Sequence, residues 1–318
     1  MPEVIEVRKY TDFIQKHLED HILLDINILK GRYKTHGPWA HYDILKASLP
    51  ATLVKVDSKG KFMYMQLSCG LWITVTLGLS GGWFYLPAGS KSGTLLHGLD
   101  VYEPQPSSAR RSVSTSIIQK YERDVVSKYI QSASRNINVE FIFDRGTLYF
   151  YDQLSFGTIG VLTSEEQLDA KLKSIGHDIM SPSTTFEDFA EGISRQKSKD
   201  IGTAIVNQKY VSGIGNYLRA DALWLSKISP FRKVADLDED ELRALFYNSR
   251  LMVWGLYDRS QGIRLKIIKK SDKLPEDYGR EFFVYFQDTD IHGNPVVKDE
   301  SFEGSQKRFI YWAPAWQH

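Results

Sequence analysis

The chain has 318 residues, 42% of them hydrophobic and 25% charged, with a net charge of +1 and one cysteine, Cys69. That length and composition suit two cored domains of an ordinary soluble protein and exclude a polycation, an internal disulfide and a cysteine-rich zinc site. No apolar run approaches the ~20 residues of a membrane span, and the N-terminus lacks the shape of a signal peptide. A reducing compartment and no secretion are expected.

The chain opens Met1-Pro2-Glu3-Val4-Ile5-Glu6. Val4, Val7, Ile14 and Leu18, with Tyr10 and Phe13, recur at helical spacing. Strands are expected at 21–28, 51–56, 61–67 and 72–77, the last two joined across Ser68-Cys69-Gly70. From 87 to 138, Gly, Pro and Ser punctuate the chain, and a surface insertion is expected with one short helix at 117–130. Strands resume at 139–143 and 148–152. The stretch 166–182 reads as a linker. Thr185, with Asp188 three residues on, reads as a helix start.

A helical pattern is expected from Ile201 to Tyr210 and another from Tyr217 to Lys227. Between them lies Gly213-Ile214-Gly215-Asn216. From Arg195 to Lys233 there are eight Lys/Arg against two Asp. A glycine turn opening a helix presents backbone N–H groups that suit a phosphate. A plain helix–turn–helix corner fits the same spacing. A long helix is expected from Asp238-Glu239-Asp240-Glu241 to about Tyr257. Residues 259–273 carry six Lys/Arg and one Asp and read as a solvated basic loop. Strands are expected at 281–286 and 307–317 around His292-Gly293-Asn294-Pro295.

GIGNYLRADAL followed by KISPFRK resembles the helix–two-turn–helix motif of the formamidopyrimidine-DNA glycosylase / endonuclease VIII family. The wording is nearest the endonuclease VIII-like branch of eukaryotes and giant DNA viruses. Pro2-Glu3 with Glu6 is similar to the family opening, although Val4-Ile5 replaces its usual residues. Lys59-Gly60-Lys61-Phe62 resembles its Gly-Lys-aromatic hairpin. Leu77-Gly78-Leu79-Ser80-Gly81 resembles its Leu-Gly-Met-Ser-Gly loop, and Gln153-Leu154-Ser155-Phe156-Gly157 a second loop in which Leu154 stands where arginine is usual. Gly176-His177-Asp178 is similar to its Gly-Pro-Asp.

The resemblance implies an α+β fold. An N-terminal β-sandwich catalytic domain flanked by helices would span 1–165, a linker 166–182, and a helix–two-turn–helix domain 183–318. It implies the Pro2 amine, freed by trimming of Met1, as nucleophile, Glu3 as a proton-transfer group, Lys61 as a phosphate or proton-transfer group, and Glu6 in support. An α-amine titrates near ~8, so about a tenth is neutral at pH 7, far more than for a lysine. DNA contacts are expected from Asn216, Gly213, Gly215, Lys209 and Arg308. Leu79, Leu154 and Phe156 are expected to fill the gap left by an everted base.

The finger's four cysteine positions carry Val296, Asp299, Ala313 and Trp316. A zincless finger at about 281–317 is therefore expected, with no metal and no cofactor. The implied activity is a bifunctional DNA glycosylase/AP lyase of base excision repair. It would act on oxidised pyrimidines first, then hydantoins or ring-opened purines. The implied partner is damaged single- or double-stranded DNA, met by a monomer in the nucleus or at a viral or host cytoplasmic replication site. A non-catalytic nucleic-acid-binding protein on the same scaffold is the alternative.

Overall fold

The computed structural model describes residues 2–90, 94–97, 100–102, 135–261, 282–303 and 306–318; side chains at 91–134, 258–281 and 301–307 are excepted. The helix expected at 117–130 and the basic loop at 262–273 lie outside the described residues. By contact the chain forms two compact units. One comprises Pro2, Glu6–Ser58 and Phe62–Asp169, the other Glu3–Ile5, Lys59–Lys61 and Ala170–His318.

The first unit is an antiparallel β-sandwich. Its strands are β1 (Ile22–Ile28), β2 (Ala51–Lys59), β3 (Phe62–Leu67), β4 (Trp72–Thr76), β5 (Gly81–Pro87), β6 (Thr94–His97), β7 (Asp100–Tyr102), β8 (Ile137–Phe143), β9 (Gly146–Asp152) and β10 (Thr158–Leu162). They lie in the order β10-β4-β3-β2-β1-β8-β9-β5-β6-β7. Val7, Tyr10, Ile14 and Leu18 of helix α1 (Val4–Leu18) join Leu23, Met63, Ile73, Trp83, Phe141 and Phe150 in one core. Each such side chain contributes roughly 1.5–3 kcal/mol by leaving water. Short helices α2 (Arg32–Thr35) and α3 (Tyr42–Ala47) follow β1.

The second unit is mainly helical. It contains α5 (Phe186–Ser194), α6 (Ile201–Ala204), α7 (Asn216–Leu225) and α8 (Glu239–Gln261), preceded by α4 (Glu165–Lys173), which straddles the boundary. The stretch 166–182 is thus structured: it holds most of α4 and the strand β11 (His177–Asp178), which pairs in parallel with β12 (Val211–Ser212). Thr185 and Asp188 close the expected capping box on α5. Asp238 and Glu241 bond each other's backbone N–H at the start of α8, at 2.8 and 3.0 Å.

Two expectations need correction here. The helix expected to reach Tyr210 stops at Ala204. Asn207 bonds the Lys209 N–H, and Gln208 bridges the carbonyls of Val206 and Ile214 to the Gly213 N–H. Such side-chain bonds offer the backbone an alternative to helix.

The strand expected at 281–286 is a turn over its described part. Asp221 accepts the N–H groups of Phe283, Val284 and Tyr285, so these cannot enter a ladder. The C-terminal hairpin instead pairs β13 (Val297–Glu303) with β14 (Gln306–Trp312). His292–Pro295 belongs to a separate loop, where Asp290 accepts N–H groups from His292 and Asn294.

Candidate functional site

Helix α7 begins at Asn216 with Gly215 before it, and no local side chain caps it. The cap comes from 212 residues away. Glu3, fully buried, accepts the Gly215 N–H at 2.6 Å and the Tyr217 N–H at 2.9 Å, with Leu218 N–H at 3.4 Å. A carboxylate at a helix N-terminus is favoured both by the unpaired N–H groups and by the positive end of the helix dipole. Val4 N–H then donates to the Gly213 carbonyl at 3.1 Å, so the start of the chain is laced to the glycine corner.

The glycines serve close approach. A Cβ on Gly213, which has φ of +104°, would lie 2.9 Å from the Val4 Cβ. A Cβ on Gly215 would overlap the Glu3 carboxyl and lie 2.6 Å from Lys61 Nζ. Glu3 and Lys61 therefore meet over one hydrogen-sized side chain. The Gly213 and Gly215 N–H groups are engaged by Gln208 and Glu3.

Lys61 is placed by its own turn. Gly60, with φ of +56°, lies against Ser212, and its N–H donates to Asp178 at 2.8 Å. Lys59 Nζ donates to the Leu172 carbonyl at 2.8 Å. Burial lowers the Lys59 ammonium, and the nearby Asp178 charge opposes that shift. Asp178 belongs to the Gly-His-Asp segment and so sets the turn that presents Lys61.

Asn216 is half-buried and well bonded. Its amide nitrogen donates to the Phe309 carbonyl at 3.1 Å, its oxygen accepts from Arg219, and it hydrogen-bonds Tyr285. Arg219, almost fully buried, also donates to the carbonyls of Gly202 and Phe309, each at 3.1 Å. The amide expected to grip a phosphate thus links α7 to β14, beside Arg308. Lys209 is exposed, its Nζ 5.6 Å from the Tyr210 ring.

Sequence reasoning did not single out Tyr285 as a site residue. Burial raises the Tyr285 phenol, the Glu3 charge adds to this, and the bond to Asn216 opposes it. Asp221, three bonds into 283–285, is what brings Tyr285 here. Burial pushes its carboxyl up to about 7 against those bonds.

In the first unit, Pro2 is half-buried and one peptide bond from Glu3, while Glu6 is buried on α1 and its charge acts on buried Tyr10. The three expected wedge residues sit on two abutting loops. Gly78, with φ of +60°, packs on the Phe156–Gly157 backbone. Buried Asp152 clips both loops, bonding Ser80 Oγ, Leu154 N–H at 3.2 Å and Gly157 N–H at 2.6 Å. Leu79 is half-buried, whereas Leu154 and Phe156 are 50% and 59% exposed.

Residues 1–159 match the family model for the formamidopyrimidine-DNA glycosylase N-terminal domain, and residues 175–254 match that for the formamidopyrimidine-DNA glycosylase H2TH domain. The chain belongs to the formamidopyrimidine-DNA glycosylase family. Family membership makes it a DNA-repair glycosylase.

The formamidopyrimidine-DNA glycosylase of Ligilactobacillus salivarius is 24% identical over 247 residues, 77% of this chain and 73% of that protein. That of Herpetosiphon aurantiacus is 32% identical over 117 residues, 36% of this chain and 42% of that protein. Among solved structures, the Lactococcus lactis protein bound to DNA containing an abasic site superposes with a TM-score of 0.70 at 18% identity, covering 99% of both chains. The Thermus thermophilus protein gives 0.68 at 19% identity, covering 99% of this chain and 98% of that one. These superpositions show the fold: an antiparallel β-sandwich and a helical H2TH domain with small β-hairpins. Among the described residues no helix is long and apolar enough to cross a membrane.

Proposed function

We propose that this glycosylase is bifunctional, with the Pro2 amine as nucleophile on damaged DNA. The observation that carries the reading is the seating of Glu3 on the N-terminus of α7. It fixes the residue next to Pro2 and holds a carboxylate beside the Lys61 ammonium. Once Met1 is removed, the neutral secondary amine of Pro2 attacks C1′ of the damaged nucleotide. The glycosidic bond breaks, and the base leaves with its electron pair and takes up a proton. Loss of the proline proton and opening of the ring give an iminium, with Glu3 moving the proton at the ring oxygen. The iminium acidifies C2′, and β- then δ-elimination expels the 3′ and 5′ phosphates.

Arg308 on β14 suits a bidentate phosphate contact, and Lys209 adds charge. Leu154 and Phe156 are apolar tips of the kind that enter a base stack. Leu154 offers no donor to the base opposite, so comparable rates are expected with each of the four opposing bases. Oxidised pyrimidines are proposed as the principal lesions.

We also assign the chain to the endonuclease VIII-like branch. The residues at its finger do not suit zinc. Ala313 is buried, and Asp299 accepts from Trp312 Nε1 at 2.8 Å. Trp316 lies 4.4 Å from the His292 ring and 5.8 Å from that of Trp224. Aromatic packing supplies the cohesion that thiolates would otherwise give.

Borohydride reduction on an oligonucleotide carrying an abasic site tests the mechanism. The wild type should leave a covalent adduct, and Pro2→Gly or a protein with a blocked N-terminus should leave none. DNA binding without any adduct from the wild type would select the non-catalytic reading instead.

A further inference from the structure

Phe286 is the most exposed large apolar side chain among the described residues, 67% accessible. It occupies the third position of a turn closed by Gln287 N–H on the Val284 carbonyl at 3.1 Å, with φ of +58°. Glycine is the usual residue there, because a bulky L-side chain in the left-handed region is strained. Folding gains little from an aromatic ring at this place. The ring is in water, and the backbone beneath it prefers glycine.

The surroundings hold the ring in a fixed pose. Phe283 stacks inward on Trp224 at 4.6 Å and 14°, and Val284 is fully buried. Asp221 pins the N–H groups of residues 283–285. The Phe286 ring is braced by Tyr285 at 4.6 Å and by Tyr311 at 4.9 Å, and Tyr285 is braced in turn by Phe282 at 5.1 Å. Lys298 Nζ lies 4.3 Å from the Phe309 ring centroid and 5.8 Å from that of Tyr311, so a cation borders the same aromatic surface. Arg308 precedes Phe309 on β14.

An open aromatic face flanked by cations is the arrangement that binds single-stranded nucleic acid, the rings taking bases and the cations taking phosphates. Tyr285, next to Phe286, hydrogen-bonds Asn216 and feels the Glu3 charge. We propose that Phe286 is a stacking platform for one unpaired DNA base close to the site of chemistry. The proposal rests on the reading that DNA is the ligand. It adds a base contact on the second unit, apart from the wedge residues of the first.

The test uses single-stranded oligonucleotides with 2-aminopurine at successive positions and an undamaged duplex of the same sequence. Phe286→Gly removes the ring and relieves the strained φ, so a loss of binding cannot be ascribed to misfolding if the variant melts no lower than the wild type. Stacking on one ring corresponds to about 5- to 150-fold in affinity. Phe286→Gly should lose that much on the single strand, lose the quenching of one 2-aminopurine position, and change duplex binding by less than about 2-fold. Phe286→Trp should keep both signals.

Unchanged quenching in Phe286→Gly would overturn the platform, as would equal weakening on single strand and duplex. A wild type that binds DNA but gives no borohydride adduct would sink the proposed mechanism and leave this readout intact. A wild type that binds no DNA would sink both.

Discussion

The corner of the second unit around Gly215 and the wedge loops of the first treat polarity in opposite ways. At the corner a carboxylate is fully buried, satisfied by backbone N–H groups, and closed over by a glycine that leaves no space. At the wedge loops the buried carboxylate of Asp152 only fastens the base, while apolar Leu154 and Phe156 stand in water. The corner has one arrangement and tolerates no added atom. The loops have fixed stems, and their tips can change with little effect on folding. Chemistry needs reacting groups placed within a fraction of an ångström, whereas filling a gap in a base stack needs only apolar bulk.

Gly215→Ala should separate the two regions most sharply. Gly215 has φ of −127°, outside the left-handed region, so the methyl acts chiefly by collision. It must push the Glu3 carboxyl off the α7 N–H groups or drive Lys61 away. Strand cleavage is expected to fall about 100-fold, the cost of misplacing a reacting group by ~1 Å. Stability should fall by about 1–3 kcal/mol, as for overpacking of a tight site. Single-turnover cleavage beside a denaturant titration reads both. Wild-type cleavage with intact stability would show that the corner yields and that its closeness is incidental.

Asp221 gives a second handle on the corner, through pH. Burial raises its folded pKa from an unfolded value near 4 to about 7. The folded state therefore binds the proton more tightly. The stabilisation from that proton is fully present below pH ~4 and is lost as pH rises through about 7. Asp221→Asn should flatten this part of the stability–pH curve. It should also cost about 1–3 kcal/mol at low pH, because an amide NH2 would face the Phe283 or Val284 N–H. A wild-type melting temperature flat between pH 4 and 7, with every other group accounted for, would refute the assignment.

The sequence disclosed the corner through Gly213-Ile214-Gly215-Asn216 and disclosed Glu3 through its place beside Pro2. It could not disclose that one caps the other, since a cap drawn from 212 residues away leaves no local spacing. The strand pattern of the sandwich was legible because β3 and β9 alternate or nearly alternate in burial. The C-terminal hairpin was misread for a physical reason. Phe282-Phe283-Val284-Tyr285-Phe286 has strand composition, but the N–H groups of residues 283–285 go to Asp221. Val297–Glu303 has a polar, charged composition and yet pairs along its length with β14. Propensity describes a half-buried pleated surface, and here partner and burial decide instead.

Leu154→Arg is the mildest change and bears on the wedge loops alone. Leu154 is 50% exposed, and its attachment runs through its backbone N–H to Ser80 Oγ and Asp152. Both bonds survive any side chain, so stability should move by less than about 0.5 kcal/mol. A guanidinium here gains the donors that leucine lacks, and a base contact of that kind discriminates by about 1–3 kcal/mol. Rates on one lesion paired with each of the four bases should therefore spread by roughly tenfold in the variant, while the wild type stays even. An uneven wild type would mean that something other than residue 154 reads the opposite strand. An even variant of unchanged stability would mean that these tips never reach it.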